Sequence, residues 1–559
     1  MRRKSLLLLL LTWSAFACGA NPNVVLVTLD SARADRMGFL GAQHPTPAAD
    51  ALAKKSLIFE HAYAQAPLTV VSHTSILTGT YPQTNQANEL GAPLPATLPY
   101  LPDLFRARGY HTAAFVGTLV LDPKNGSVPG FDRGFASYEA RFHQPVKGEA
   151  RYQSGERRGD QVVARAIAWL AKNPKGPFFL WIELNDAHAP YGASYDAALG
   201  RADAALGKLL AALRASKLLD DSVIALLADH GESLGAHGED AHGVFLYDET
   251  IHVPLLLKLP QNQMAAKRVS SKVSLVDVAP TLLEAAGIPV PSQMQGQSLL
   301  RVAKSSGGDQ PVYSRSDFSQ RAFGWSSLES WRAGKFLYIR APRPELYDLS
   351  SDPGALHNLA QSSKATLDTM ASQLEAFDRH FTAAGKPAEL SSSEVQKLAS
   401  LGYVGLQKSS GGSTSVTGTD PKDVIATANK VIAAILAIAG GETEKALPAL
   451  WAIVGSEPNL YLAQFGLGLA LVQQQQFAAA VEHLHKAIEL QPESASAHYY
   501  MGMSLLKTGD AKTAVVHLEI ATTRLPQNAE AHALLSQAYE KLGRGEDAKR
   551  EKLKAGQKT

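Results

Sequence analysis

Four stretches of this chain are apolar almost without a break: residues 23–29 (NVVLVTL), 111–117 (HTAAFVG), 177–184 (PFFLWIEL) and 221–228 (DSVIALLA). A strand whose side chains alternate between core and water alternates in polarity, so unbroken runs imply strands covered on both faces. Helical patterns lie between them, at 97–109, 159–172 and 195–216. Strands alternating with helices predict an α/β fold, with a mostly parallel sheet and helices on both faces. In such sheets ligands bind beyond the carboxyl ends of the strands. Three of the runs stop there on polar residues: Asp30, the segment Asn185-Asp186-Ala187-His188, and Asp229-His230.

These endings, with the stretch 67–81 (PLTVVSHTSILTGTY), carry the chemistry. A proline and β-branched residues favour an extended approach, and the hydroxyl-rich SHTSILTG reads as the opening of a helix. At such a junction backbone N–H groups and the helix dipole favour an anion, which makes Thr69 the candidate nucleophile. Asp30, Thr69, Asp229 and His230 can surround one cation, lowering the pKa of the threonine hydroxyl. Asp186 and His188 are two apart, so an extended backbone aims them to one side. With His242 they could hold a second cation or bind anionic substrate oxygens directly. Carboxylate and imidazole without thiolate suit one or two Zn²⁺ ions, with Mn²⁺ or Ca²⁺ as other options. This chemistry suits in-line attack on a phosphoryl or sulfuryl centre.

At 559 residues, 45% hydrophobic and 19% charged, the chain is long enough for several domains. Its formal net charge of +2 and the lack of a basic stripe argue against nucleic acid as a partner. Residues 1–18 combine a basic start, a leucine run too short for a comfortable membrane span, and small residues before Cys18, the only cysteine. Ala15-Phe16-Ala17-Cys18 resembles a bacterial lipobox, with Ala15 where leucine is usual. The expectation is an exported lipoprotein, held at a membrane by an acylated Cys18 and facing the periplasm or cell exterior; cleavage after Ala17 by ordinary signal peptidase is the rival.

The catalytic α/β unit is expected over 22–310, with a small α+β subdomain of short strands over 311–406 and a flexible Ser/Gly/Thr linker at 407–421. Over 422–559, Pro458, Pro492 and Pro526 stand 34 residues apart, as do Leu467-Gly468 and Met501-Gly502. That period, with small residues where two helices cross, is the tetratricopeptide pattern, clear in two repeats and partial on each side. It implies an all-α solenoid that binds a protein or peptide. Trp169, Trp181 and Trp451 are expected in the core, and His483 and His485 on a solvated helix face.

Five segments, PNVVLVTLDSARADRMGFLG, SHTSILTGTYP, ADHGESLGAHGE, VSLVDVAPTLLEAAGIPVP and LYDLSSDPGALHNL, resemble in order the sulfatase branch of the alkaline phosphatase superfamily over about residues 22–405. The resemblance implies an alkaline-phosphatase-like sheet with a smaller C-terminal subdomain. It implies metal ligation by Asp30, Asp229 and His230, a nucleophile at Thr69, and His188 and His242 around the transferred group. Formylglycine-dependent sulfatases carry a C/S-x-P-S-R core, where this chain reads Thr69-Val70-Val71-Ser72-His73. Threonine cannot become formylglycine, and threonine is the nucleophile of the superfamily's phosphodiesterases and phosphoethanolamine transferases. His73 stands in place of the arginine, a substrate-binding position, Ser31 where a second aspartate is usual, and His242 where a lysine is usual. The function expected is hydrolysis of phosphate or sulfate esters. The rivals are a true sulfatase turning over through threonine, a transferase, and a binding protein built around a dead enzyme domain.

Overall fold

The structure, a computed structural model, describes residues 21–87, 93–126, 128–142, 155–172, 176–305, 309–381 and 416–556. The lipobox and most of the linker lie outside these residues. In chain order the main-sheet strands are β1 (Asn23–Leu29), β2 (Leu57–Tyr63), β3 (His111–Phe115), β4 (Ser137–Glu139), β5 (Phe178–Leu184), β6 (Ser222–Ala228), β7 (His252–Lys258), β8 (Arg268–Val269) and β9 (Val273–Ser274). They are ordered β4-β3-β5-β1-β6-β7-β2-β8, with β9 also on β2. The central strands β5, β1 and β6 are parallel and almost wholly buried, as their unbroken apolar sequence requires.

The sheet departs from the parallel pattern at β7, which runs antiparallel to both β6 and β2. A direct return from β6 to β7 needs no crossover helix. The chain between them, residues 229–251, is thus free to fold over the carboxyl ends of the strands. That loop carries His230 and His242.

A second, antiparallel sheet is built from β10 (Val312–Ser316), β11 (Leu328–Ala333), β12 (Phe336–Arg340) and β13 (Glu345–Asp348) in that order. With the helix Lys364–Asp378 it forms the small subdomain, around Tyr313, Trp331, Tyr338 and Leu374.

Eight helices follow from Pro421 to Gly556. They make four helix pairs, two of them only partly legible in the sequence. A Cβ at Gly468 or Gly502 would lie 2.7 or 2.5 Å from Leu484 or Leu518, so these glycines let the paired helices approach. A polar bond recurs at the same register: Gln464 to His483 at 2.9 Å, His498 to His517 at 2.9 Å, His532 to Glu551 at 2.6 Å. His483 is therefore buried, contrary to expectation, because a partner on the neighbouring helix satisfies it. Trp451 is 47% exposed and not in the core, whereas Trp181 is fully buried.

The repeats are not merely tethered. Phe323 and Trp325 of the catalytic unit pack with Ala428, Val431 and Leu460 of the repeats. Lys422 pairs with the buried Glu345 at 2.8 Å, and Arg343 with Asp423 at 2.6 Å. Removing residues 421–559 should uncover both rings, at a cost of about 3–6 kcal/mol of burial. A melting temperature several degrees lower and association of the truncated protein are the expected results by calorimetry and light scattering. An unchanged transition would mean that the seam adds nothing.

Candidate active site

The site forms where β1, β6 and one buried helix converge. That helix, Thr69–Thr78, has all ten residues buried although six of them are Ser, Thr or His. It tolerates burial because its hydroxyls are satisfied: Thr74 and Thr78 donate to carbonyls four residues back, at 2.8 and 2.6 Å. Ser72 Oγ donates to the Asp229 carbonyl at 2.6 Å and ties the helix to the end of β6. Thr69 is its first residue, Leu68 before it offers no side-chain cap, and the positive end of the helix dipole therefore lies at Thr69, where it favours an anion.

Thr69 Oγ1 stands 3.4 Å from Asp30 Oδ2 and 3.3 Å from His230 Nε2. Asp30, Asp229 and His230 offer ligand atoms within 4.8 Å of one another, the one such group of three among the described residues. His230 Nδ1–H donates to the Gly231 carbonyl at 2.9 Å, which leaves the Nε2 lone pair facing the carboxylates. Gly231 itself is required, since a Cβ there would meet the Glu249 carbonyl at 2.1 Å. Ser31 donates through Oγ to Asp30 Oδ1 at 2.9 Å and through N–H to Asp229 Oδ1 at 3.2 Å.

A cation fits this set. Asp229 Oδ2 is fully buried and accepts no hydrogen bond, a costly arrangement for a carboxylate oxygen. Burial, and next the charge of Asp30, push the Asp229 carboxyl well above the usual carboxylate range. A divalent ion between the two acids would relieve both costs.

His188 and His242 face each other beside this group, rings 5.2 Å apart, and the His242 ring is 4.4 Å from that of His230. Each is held through Nδ1, His188 at 2.7 Å from the Ala189 carbonyl and His242 at 3.1 Å from Glu232 Oε1. Burial, then the neighbouring His230, lower the His242 imidazole to about 3, so it is neutral at physiological pH.

Two expected residues sit elsewhere. Asp186 does not project beside His188, because residues 185–188 form a turn closed by His188 N–H to the Asn185 carbonyl. Its Oδ2 instead accepts from Gly159 N at 2.8 Å, at the start of the helix Gly159–Lys172. His73 is fully buried one helical turn below Thr69. Trp181 Nε1–H donates to Thr28 Oγ1, the Thr28 hydroxyl donates to His73 Nε2 at 3.0 Å, and His73 Nδ1–H donates to the Thr69 carbonyl at 2.8 Å. Burial lowers His73 to about 4, so it holds the Thr69 backbone as a neutral ring from inside the fold.

Glu232, absent from the expected set, is fully buried behind His242, and burial pushes it up to about 7. Its signal is only the acid two residues after Asp229-His230, among Gly and Ser. Glu239 pins the same loop, accepting from Val244 N and Phe245 N at 2.8 and 3.2 Å.

Comparison with known proteins agrees with this geometry. The family described as Sulfatase matches residues 22–288, and that described as N-sulphoglucosamine sulphohydrolase, C-terminal, matches 240–379. The chain carries a sulfatase-family domain. Two tetratricopeptide families match 468–509 and 499–556. The sulfatase-family domain is similar to the "Ulvan-active sulfatase" of Formosa agariphila, at 25% identity over 64% of this chain and 80% of that protein. It is also similar to "Arylsulfatase K" of Bos taurus, at 36% identity, but over only 30% of this chain and 33% of that protein. Among solved structures, the phosphonate monoester hydrolase of Agrobacterium radiobacter superposes with a TM-score of 0.54 at 20% identity, over 64% of this chain and 96% of its own. The fold is that of the alkaline phosphatase superfamily, and the sulfatase-family domain is an ester hydrolase of that superfamily.

Proposed function

We propose that this protein is a cation-dependent hydrolase of phosphate or sulfate esters in which Thr69 is the nucleophile. The observation that carries the reading is the position of Thr69 Oγ1, at an uncapped helix start and within 3.4 Å of both Asp30 and His230. Asp30, Asp229 and His230, with the Thr69 hydroxyl, would hold the cation. Once bound, that ion would lower the hydroxyl pKa and offset charge on the transferred group, and two carboxylates with an imidazole suit Zn²⁺, with Mn²⁺ or Ca²⁺ as alternatives.

The rest of the chemistry belongs to the chain. Thr69 Oγ1 loses its proton to solvent and attacks phosphorus or sulfur, and the bond to the leaving oxygen breaks. The positive end of the Thr69–Thr78 helix favours the anionic oxygens. His188, whose Nδ1–H is held by the Ala189 carbonyl, passes a proton from Nε2 to the leaving oxygen in its doubly protonated form, and His242 donates from Nε2 to the transferred group when a protonated Glu232 donates to its Nδ1. Water then attacks the group on Thr69 and restores the hydroxyl. If an alcohol takes the place of that water, the same site is a transferase.

Of the two arginines on the cavity wall, Arg315 is gripped by Asp317 through two bonds of 2.6 and 2.7 Å and Arg321 lies 3.9 Å from Glu493, and His73 and His242 are neutral. The substrate's charge therefore falls chiefly to the cation, which stabilises a phosphoryl group more than a less charged sulfuryl group. A sulfuryl-threonine also has no adjacent hydroxyl to expel sulfate. Comparing kcat/KM for p-nitrophenyl phosphate, p-nitrophenyl phenylphosphonate and p-nitrophenyl sulfate tests this. The expected result is at least about tenfold in favour of a phosphorus ester. Preference for the sulfate would make the protein a threonine-dependent sulfatase instead.

Export and acylation at Cys18 are proposed from residues 1–18 alone and would place the hydrolase at a membrane surface. A tetratricopeptide array can hold a protein partner or complete a catalytic site. The contacts of the first repeat with the loop 229–251 favour the second use.

A further inference from the structure

One cavity, about 460 Å³ in volume, begins at Thr69, His188 and His242 and ends on the tetratricopeptide repeats. Its walls change character with distance from the site. Leu68 and Val71 line it near Thr69, and the repeats line it mainly with apolar side chains, Ile435, Leu462, Phe465 and Leu469 among them, beside a few polar ones such as Gln473 and Ser496. Those four side chains are only half-buried, although the helices that carry them are core-forming elsewhere along their length. Phe465 lies flat against Tyr461, ring centroids 5.8 Å apart and planes 12° apart, so its ring is held in place.

The geometry is fixed by the seam between the domains. Asn429, on the helix Pro421–Ala439, donates through Nδ2 to the Gly238 carbonyl at 2.8 Å and accepts through Oδ1 from Asp240 N at 3.1 Å. Both partners belong to the loop that carries His230 and His242. The repeats are thereby docked on the catalytic loop itself.

We propose that this cleft receives the non-reacting body of the substrate, and that this body is hydrophobic: the substrate class is a phosphate or sulfate ester of a long-chain or alkyl-aryl alcohol. The inference rests on the hydrolase reading above. An anionic group at the Thr69 end and an aliphatic and aromatic wall beyond it match an amphiphile in both polarity and order. A sugar chain or a peptide would need hydrogen-bonding groups all along the wall; the few the repeats place there, such as Gln473 and Ser496, are outnumbered by aliphatic and aromatic side chains such as Ile435, Leu462, Phe465 and Leu469. The volume is that of a small-molecule site.

The test compares 4-ethylphenyl with 4-octylphenyl phosphate and sulfate, below micelle-forming concentrations, on the full-length protein with added Zn²⁺. Each buried methylene contributes a factor of about four, so partial burial of six more should favour the octyl ester by at least about 100-fold in kcat/KM. Leu469→Asp should collapse that preference at least about tenfold with an unchanged melting temperature; if it fails to fold, Phe465→Ala is read in its place. Binding of 4-octylphenol, measured by calorimetry, should weaken in the same variant and needs no turnover. Equal kcat/KM for the two chain lengths, 4-octylphenol binding indifferent to Leu469, or a tyrosine-phosphorylated or tyrosine-sulfated peptide turned over better than the octyl esters would overturn the proposal. If no ester is cleaved but 4-octylphenol binds through Leu469, the hydrolase reading fails and the cleft chemistry stands.

Discussion

Thr69→Ala is expected to lower turnover of every ester by at least about 1,000-fold, roughly 4 kcal/mol in the barrier, while the melting temperature stays nearly constant. The proposed covalent route depends on one oxygen, and the hydroxyls beside it are committed, Ser72 Oγ to the Asp229 carbonyl and Ser31 Oγ to Asp30 Oδ1. The loss should not be structural, because the Oγ1 contacts of Thr69 at 3.3 and 3.4 Å are long and weak. Alanine is also well accepted at the first position of a helix. Thr69→Ser keeps the oxygen and should retain activity within about 100-fold of the parent, since only rotamer restriction by the methyl group is lost. Trapping of phosphate on the parent, and not on the alanine variant, by acid quench and mass spectrometry would locate the covalent group. Activity of Thr69→Ala within tenfold of the parent would remove Thr69 from the reaction.

What the sequence revealed and hid follows one physical division. Continuous apolar strands and 34-residue periods are long-range patterns, so β1, β5, β6 and the repeats were legible. β2 and β7 were not. The first carries Glu60 and His61 in mid-strand, and the second contains Pro254, a residue that argues against an interior strand. The residues Asp30, Asp229 and His230 were legible because strand ends in a parallel sheet point to one place. Asp186 lies away from His188 because residues 185–188 form a turn and not the extended backbone their spacing suggests. His73 lies away from the cavity because a helix position four residues after Thr69 points here into the sheet, onto Thr28 and Trp181. Glu232 shows only in three dimensions, since nothing in its neighbourhood of Gly and Ser marks it as His242's partner. The same holds for the docking of Asn429 on Gly238 across 191 residues.

Removal of divalent metal should abolish activity reversibly, and Asp229→Asn should do so irreversibly. Two buried acids, Asp30 and Asp229, share a site whose nearby imidazoles His73 and His242 are neutral, and Asp229 Oδ2 accepts no hydrogen bond. Such a group is held in place only if a ligand repays the burial, so the metal-loaded protein should melt higher than the chelated one. At a metal concentration about 100 times Kd the gain is about 2.7 kcal/mol. Asp229→Asn removes the charge and keeps the shape, and its Oδ1 bonds from Ser31 and His230 N–H groups can persist. Chelated parent and variant should then melt alike, or the variant higher, because an uncompensated carboxylate has been taken out of the core. Only the parent should gain stability and activity when Zn²⁺, Mn²⁺ or Ca²⁺ is restored. His230→Ala should behave like Asp229→Asn, and the double variant should be little worse than either, since ligands to one ion act as a unit. Elemental analysis of active protein is the decisive measurement. Full activity with less than about one tenth of an equivalent of any divalent metal would show that Asp30, Asp229 and His230 serve the reaction without an ion.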